Sequence, residues 1–160
     1  MTESPAMGEG SATEIDFYQL ERRTLDDVLP ALLELSLKRG WRAVVQAASE
    51  ERVEALNTLL WTYREESFLP HGTARDGHPA AQPIYLTVGD DNPNAAQVRF
   101  LVDGATLDDA SSYTRVAYVF DGHDAEAVAR AREAWQAAKA RGDAASYWRQ
   151  DADGRWQQKA

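Results

Sequence analysis

The chain of 160 residues has no cysteine. Disulfides, thiolate metal sites and cysteine nucleophiles are therefore excluded. Long apolar runs are missing too. No stretch approaches the ~20 residues that a membrane-spanning helix needs. Residues 1–13 have neither a basic n-region nor an apolar h-region, so no signal peptide is expected, and the chain reads as cytoplasmic with no membrane role. Basic charge is scarce, with 17 Lys and Arg against 26 Asp and Glu and a net charge of -9. So acidic a chain is poorly suited to gripping a phosphate backbone directly, which needs a basic face. Any contact with DNA is expected to be indirect.

What is present is the composition of a water-soluble globule, 44% hydrophobic and 27% charged. The length suits one domain that buries roughly two-thirds of its unfolded surface without staples. Residues 1–13, rich in Gly, Ser, Glu and Ala, read as a disordered tail. Residues 14–160 read as a single domain, with 149–160 forming a C-terminal hairpin extension around Asp151-Ala152-Asp153-Gly154. Strands are predicted over 15–20, 41–47, 83–88, 97–102, 115–120 and 144–148. A helix capped by Thr24 carries Leu25, Val28, Leu29, Leu32 and Ser36 on one stripe, with Pro30 expected within a turn of its start or at a kink. A second helix is capped by Ser49 and buries Val53, Leu56, Leu59 and Leu60. A third runs from 125 to 141 and stops at Gly142. Residues 64–82 read as one long connection. Alternating strands and helices give an α/β fold: three layers, α/β/α, on a largely parallel but mixed sheet.

That Rossmann-like pattern raises the question of a nucleotide, and the sequence answers it with another absence. The turn after the first strand is Leu20-Glu21-Arg22-Arg23-Thr24, without the glycines that let backbone approach a pyrophosphate. No P-loop or Gly-x-Ser-x-Gly elbow occurs. Asp121-Gly122-His123-Asp124 sits at a strand's carboxyl end, where an α/β fold places ligands, but turn formation and helix capping explain it more simply. His71 and His78 lack ligand spacing, and Asp90, Asp91, Asn92 and Asn94 lack the glutamate of a calcium loop. No catalytic residue, metal or cofactor is expected. A nucleotide-binding α/β enzyme remains the minor alternative.

Two stretches suit protein contacts instead. Ala127, Ala131, Ala134 and Ala138 form a small-residue face on the third helix, fit for close packing on a sheet. Beside it runs the stripe Val128, Arg132, Trp135, Gln136, Lys139. Between 130 and 141 this helix carries Arg130, Arg132, Lys139 and Arg141 against Glu133 alone. Arginines can grip a carboxylate bidentately and a tryptophan can line a pocket, so an acidic peptide with an apolar tip is a suitable ligand. The plainer reading is a solvated basic helix end with Trp135 in the core. The second stretch is Leu60-Trp61-Thr62-Tyr63-Arg64-Glu65-Glu66-Ser67-Phe68-Leu69-Pro70-His71, which sets aromatics and a Leu-Pro corner just past a helix. Apolar anchors flanked by charge are what a docking surface needs, although Phe68 and Leu69 could instead plug the core.

The wording of these stretches resembles the chi subunit of bacterial DNA polymerase III, a component of the clamp-loader assembly. The likeness is carried by Phe17-Tyr18, by Trp61 to His71, and by Ala129-Arg130-Ala131-Arg132-Glu133-Ala134-Trp135-Gln136. It implies a three-layer α/β fold without a nucleotide and a non-catalytic accessory role in DNA replication. It implies that the third helix binds the acidic C-terminal tail of single-stranded-DNA-binding protein, with Arg132 as the key arginine and Trp135 at the aromatic position. Gln136 stands where the family commonly has lysine, and Val128 where some relatives do. Lys139 or Arg130 would compensate. It implies that Trp61, Phe68, Leu69 and Pro70 dock the psi subunit, or in some relatives an accessory helicase, so an adaptor for a DNA-repair helicase is the nearer alternative.

Overall fold

The computed structural model describes residues 13–63 and 69–160. The expected disordered tail therefore falls outside the described residues apart from Thr13, and so does Phe68. In chain order the described elements are β1 (Glu14–Leu20), α1 (Leu25–Lys38), β2 (Ala43–Gln46), α2 (Glu50–Thr62), β3 (His71–Thr73), β4 (Ile84–Thr87), β5 (Val98–Val102), β6 (Arg115–Asp121), α3 (Ala125–Arg141), β7 (Ala144–Gln150) and β8 (Trp156–Gln158). The strands form one sheet in the order β3-β4-β2-β5-β6-β1-β7-β8. Every neighbouring pair is parallel except β7 and β8. The expected three-layer α/β architecture is therefore present.

The two layers of core follow from the strands' period of two. On one face Leu20, Val45, Leu86, Phe100, Val102 and Val119 meet Val28, Leu29 and Leu33 of α1 and Val53, Leu56 and Leu60 of α2. On the other, Ile15, Phe17, Val116 and Leu101 meet α3 through Ala131, with Ala134 and Trp135 packed alongside. The alanine stripe of α3 does what its size allows: Ala138 and Ala131 are buried and the helix lies close on the sheet. On α1 the buried leucines are Leu29 and Leu33, while Leu32 is only half-buried, so the stripe is rotated slightly from the expected one. Pro30 lies in the second turn of α1, deeper than expected, and it is buried. Its missing N–H leaves the Asp26 carbonyl without a helical donor. Thr24 precedes α1, but its hydroxyl donates to Asp27 Oδ2 at 3.2 Å rather than accepting a helix amide. Ser49 does cap α2, accepting from Arg52 N.

The long connection over 64–82 is not structureless in its described part. It contains β3, followed by single 3-10 turns at Ala74–Asp76 and Pro79–Ala81. Three residues with Gly in the middle carry little strand signal, and pairing with β4 decides the outcome.

Arg99 is the largest fully buried side chain. Among the described residues it has no carboxylate partner. Its five N–H groups are taken by neutral acceptors: Gln46 Oε1 from Nε (3.0 Å) and Nη2 (2.6 Å), Asp91 O at 2.9 Å, Tyr113 Oη at 2.8 Å, and the Gly89 carbonyl. One guanidinium thus ties β2, the β4–β5 turn and the segment before β6 together, which a buried charge must do to be tolerated.

Candidate functional site

β1 and β6 are parallel neighbours, yet the helices that follow them lie on opposite faces. The crevice outside their carboxyl ends is the place where α/β sheets take ligands. A cleft of about 640 Å³ lies there, lined by the β1–α1 turn, Asp103, Gly104 and the start of α3. Three amides of its β1–α1 turn are already used. Gln150 Oε1, from the end of β7, accepts the backbone N–H groups of Glu21 (2.9 Å), Arg22 (3.0 Å) and Arg23 (3.1 Å). A phosphate would need those same donors. Gln150 is buried, and its Nε2 has no acceptor among the described residues.

The neighbouring Asp121-Gly122-His123-Asp124 turn behaves as turn chemistry. Asp121 Oδ1 accepts from His123 N at 2.8 Å, and Asp124 Oδ1 accepts from Glu126 N and Ala127 N to cap α3. His123 Nε2 lies 2.7 Å from the Glu21 carbonyl. Gly122 allows the close approach, since a Cβ there would lie 2.6 Å from the Leu20 carbonyl oxygen. Among the described residues no group of three or more His, Asp and Glu could hold a metal ion. His71 is buried with both ring nitrogens against carbonyls, Nδ1 at 2.6 Å from Leu69 O and Nε2 at 3.2 Å from Asn57 O.

The α3 stripe makes a groove of about 320 Å³. Arg132, Trp135 and Gln136 form one wall, and Tyr147 and Arg149 of β7 with Lys159 beyond β8 form the other, with Gln19 of β1 between. Trp135 is half-buried and stands edge-on to Phe17 (5.7 Å, 81°) and Tyr147 (5.8 Å, 89°), so its ring is fixed rather than free. Lys139 Nζ lies 5.4 Å from the Trp135 ring centroid, a cation–π contact. The Tyr147 hydroxyl donates to Gln19 Oε1. Burial pushes the Tyr147 hydroxyl pKa up, and the charges of Arg132 and then Arg149 partly oppose it. Gln19 Nε2 in turn donates to Glu21 at 2.8 Å, which with Arg149 at 3.4 Å holds that carboxyl below its ordinary range. Ala160 lines the groove as well and, as the last residue, brings a carboxylate to it; among the described residues no Asp or Glu side chain lines it, although the chain carries a net charge of -9.

Of the predicted stripe, Arg132, Trp135 and Gln136 line this groove and Lys139 flanks it on the Trp135 ring. Val128 is half-buried and does not line it. Arg130 is on the other side of the helix, because two residues correspond to about 200° of rotation. It lines the switch-point cleft beside Gly104 and lies 3.9 Å from Glu126.

At the opposite edge of the sheet, Trp61 is 56% exposed on the last turn of α2. Its ring centroid lies 4.5 Å from that of His71. Pro70 is half-buried next to it in sequence to His71. Leu69 does not share this exposure. It is 3% exposed and belongs to the core beneath α2, because the chain turns inward there to start β3. Phe68 lies outside the described residues.

A family model described as DNA polymerase III chi subunit, HolC, matches residues 12–146. The chain belongs to the DNA polymerase III chi subunit family. A similar protein, described as probable DNA polymerase III subunit chi from Rickettsia prowazekii (strain Madrid E), is 35% identical over 89 residues, which cover 56% of this chain and 54% of the relative. The aligned segment thus spans about half of that relative's length. The chi family match takes in β1, the Trp61 turn and all of α3, but ends before Tyr147. Tyr147, Arg149 and Lys159 of the second wall therefore lie beyond it. Sequence reading missed these three together with Gln19. The signal was weak but present: residues 147 and 149 alternate onto one face of a strand, and a hairpin at Asp151 brings residue 159 back opposite 147.

Proposed function

We propose that this chi-family chain is a non-catalytic adaptor of the replicative polymerase: one surface holds an acidic peptide tail and the other holds a partner subunit. The groove on α3 takes the acidic C-terminal tail of single-stranded-DNA-binding protein. The turn after α2 takes psi, and through it the clamp loader. The observation that carries this reading is the groove's excess of cations beside an indole, with Arg132, Arg149 and Lys159 lining it and Lys139 at its edge. Within an acidic protein, Arg132 and Lys139 border a fixed indole, and a peptide with carboxylates and a terminal aromatic fits both features. The attraction is local and sensitive to salt, because the cations are confined to the groove while the chain as a whole is acidic.

Trp61 supports the second surface, since an exposed indole held against His71 loses little rotamer freedom on docking. The switch-point amides bonded to Gln150 favour an adaptor over a nucleotide enzyme. Two modest contacts on opposite edges of one rigid sheet suffice, because joining them raises the effective concentration of each partner near the other. DNA is then reached only through the coating protein.

The test is fluorescence anisotropy with a short acidic peptide ending in Phe, with and without that last residue. Binding that needs the Phe and is lost in Arg132→Ala is expected. Equal affinity of Arg132→Ala and the parent chain refutes the groove. For the second surface, Phe68→Ala is expected to break co-elution with psi on gel filtration while leaving peptide affinity unchanged. A Phe68→Ala chain that still co-elutes with psi removes that part of the reading.

A further inference from the structure

The second wall of the α3 groove is built by a segment outside the chi family match, and it adds charge. β7 and β8 pair antiparallel with Trp148 opposite Gln158, Arg149 opposite Gln157 and Gln150 opposite Trp156. One step further, Lys159 N donates to Tyr147 O at 2.7 Å and Tyr147 N donates to Ala160 O at 3.2 Å. Lys159 and Ala160 therefore share Tyr147 as cross-strand partner just past the paired register, and Lys159 lines the groove beside it. Opposed residues of an antiparallel pair project to the same face, so Lys159 is delivered to the face on which Tyr147 meets Trp135.

The hairpin that carries Lys159 is fixed on both sides. Trp156 packs edge-on against Tyr18 (5.1 Å, 69°) on the α1 face. Asp151 Oδ1 accepts the N–H groups of Asp153 and Arg155, closing the turn. Lys159 is exposed and makes no ion pair among the described residues, whereas Arg149 beside it is engaged with Glu21 at 3.4 Å. On the facing wall Gln136 is neutral. A ligand with several carboxylates would thus find cations on α3 and one available cation across from them.

We propose that Lys159 is a further binding residue of this groove, gripping a carboxylate of the acidic peptide from the wall opposite Arg132. The proposal rests on the reading of the groove as an acidic-peptide site. It makes the hairpin part of the binding surface and adds a second point of charge recognition that α3 alone does not supply.

The experiment uses the full chain and a fluorescein-labelled acidic peptide ending in Phe, titrated by anisotropy at about 50 mM and about 200 mM salt. Lys159→Gln is expected to weaken binding about three- to tenfold at the lower salt and to flatten the salt dependence. Lys159→Glu is expected to weaken it further, and Lys159→Arg to keep most of the affinity. Thermal midpoints of all three should match the parent, because the side chain is exposed. Parent-like affinity of Lys159→Gln, in a series where Arg132→Ala has lost binding, overturns this inference and leaves the groove standing. No binding by the parent chain, or parent-like binding by Arg132→Ala, overturns both. Weakening by Lys159→Arg equal to that by Lys159→Gln also overturns it, since charge would not be what matters.

Discussion

Replacing Gln150 with methionine tests whether the switch point is sealed. Methionine keeps the side chain's approximate volume and removes its oxygen. Three backbone N–H groups, those of Glu21, Arg22 and Arg23, then lose an acceptor at 2.9 to 3.1 Å. A neutral hydrogen bond is worth about 0.5–1.5 kcal/mol net, so the gross loss is roughly 2–4 kcal/mol. Two effects reduce it. The turn borders an open cleft of about 640 Å³, so water can reach the freed amides. The substitution also deletes the buried Nε2 that has no acceptor, which returns roughly 1 kcal/mol. The expected net cost is about 1–2 kcal/mol, or about 2–8 °C in melting temperature for a chain of this size. Urea denaturation measures the first quantity, and hydrogen exchange should show faster exchange at the amides of residues 21–23. Unchanged stability and unchanged exchange would show that the Gln150 contact is incidental. Thermal stabilisation of the parent by pyrophosphate or a nucleotide would overturn the sealed-cleft argument itself.

Arg99→Met strips all five donors from Gln46, Gly89, Asp91 and Tyr113 at a fully buried site. A loss of about 3–5 kcal/mol is expected in chemical denaturation, and a loss below about 1 kcal/mol would refute the account. Trp61→Ala should change stability by less than about 1 kcal/mol, because the ring is mostly exposed, while abolishing co-elution with psi. A large loss of stability without loss of psi binding would place Trp61 in the fold rather than the surface. Burial, opposed by Arg115, holds the Asp16 carboxyl above its ordinary value of 3.8. Its folded state thus binds the proton more tightly, and the associated stability is present below that value and lost as pH rises through the folded pKa. The parent should therefore lose stability relative to Asp16→Asn as pH rises above the ordinary carboxylate value of 3.8, with no such difference if Asp16 is not desolvated.

The sequence alone determined the class of fold and the kind of chemistry. Alternating apolar strands and capped helices leave few ways to bury both faces of a parallel sheet, and the third helix with its Gly142 stop was legible to the residue. The glycine-free turn already spoke against a phosphate site, and the wording around Trp61 and Arg132 pointed to the chi family. What it could not supply was every property that depends on a distant partner. That Leu69 is core while Trp61 is exposed follows from where the chain turns into β3, whose edge pairing has almost no local signature. That Arg99 is buried depends on acceptors from β2, the β4–β5 turn and the segment before β6, which only packing assembles. The groove's second wall depends on the register of β7 and β8, where a slip of one residue would turn Lys159 away from Trp135. Periodicity fixes which side chains share one element's face, but a site made of several elements exists only once the sheet has brought their faces together.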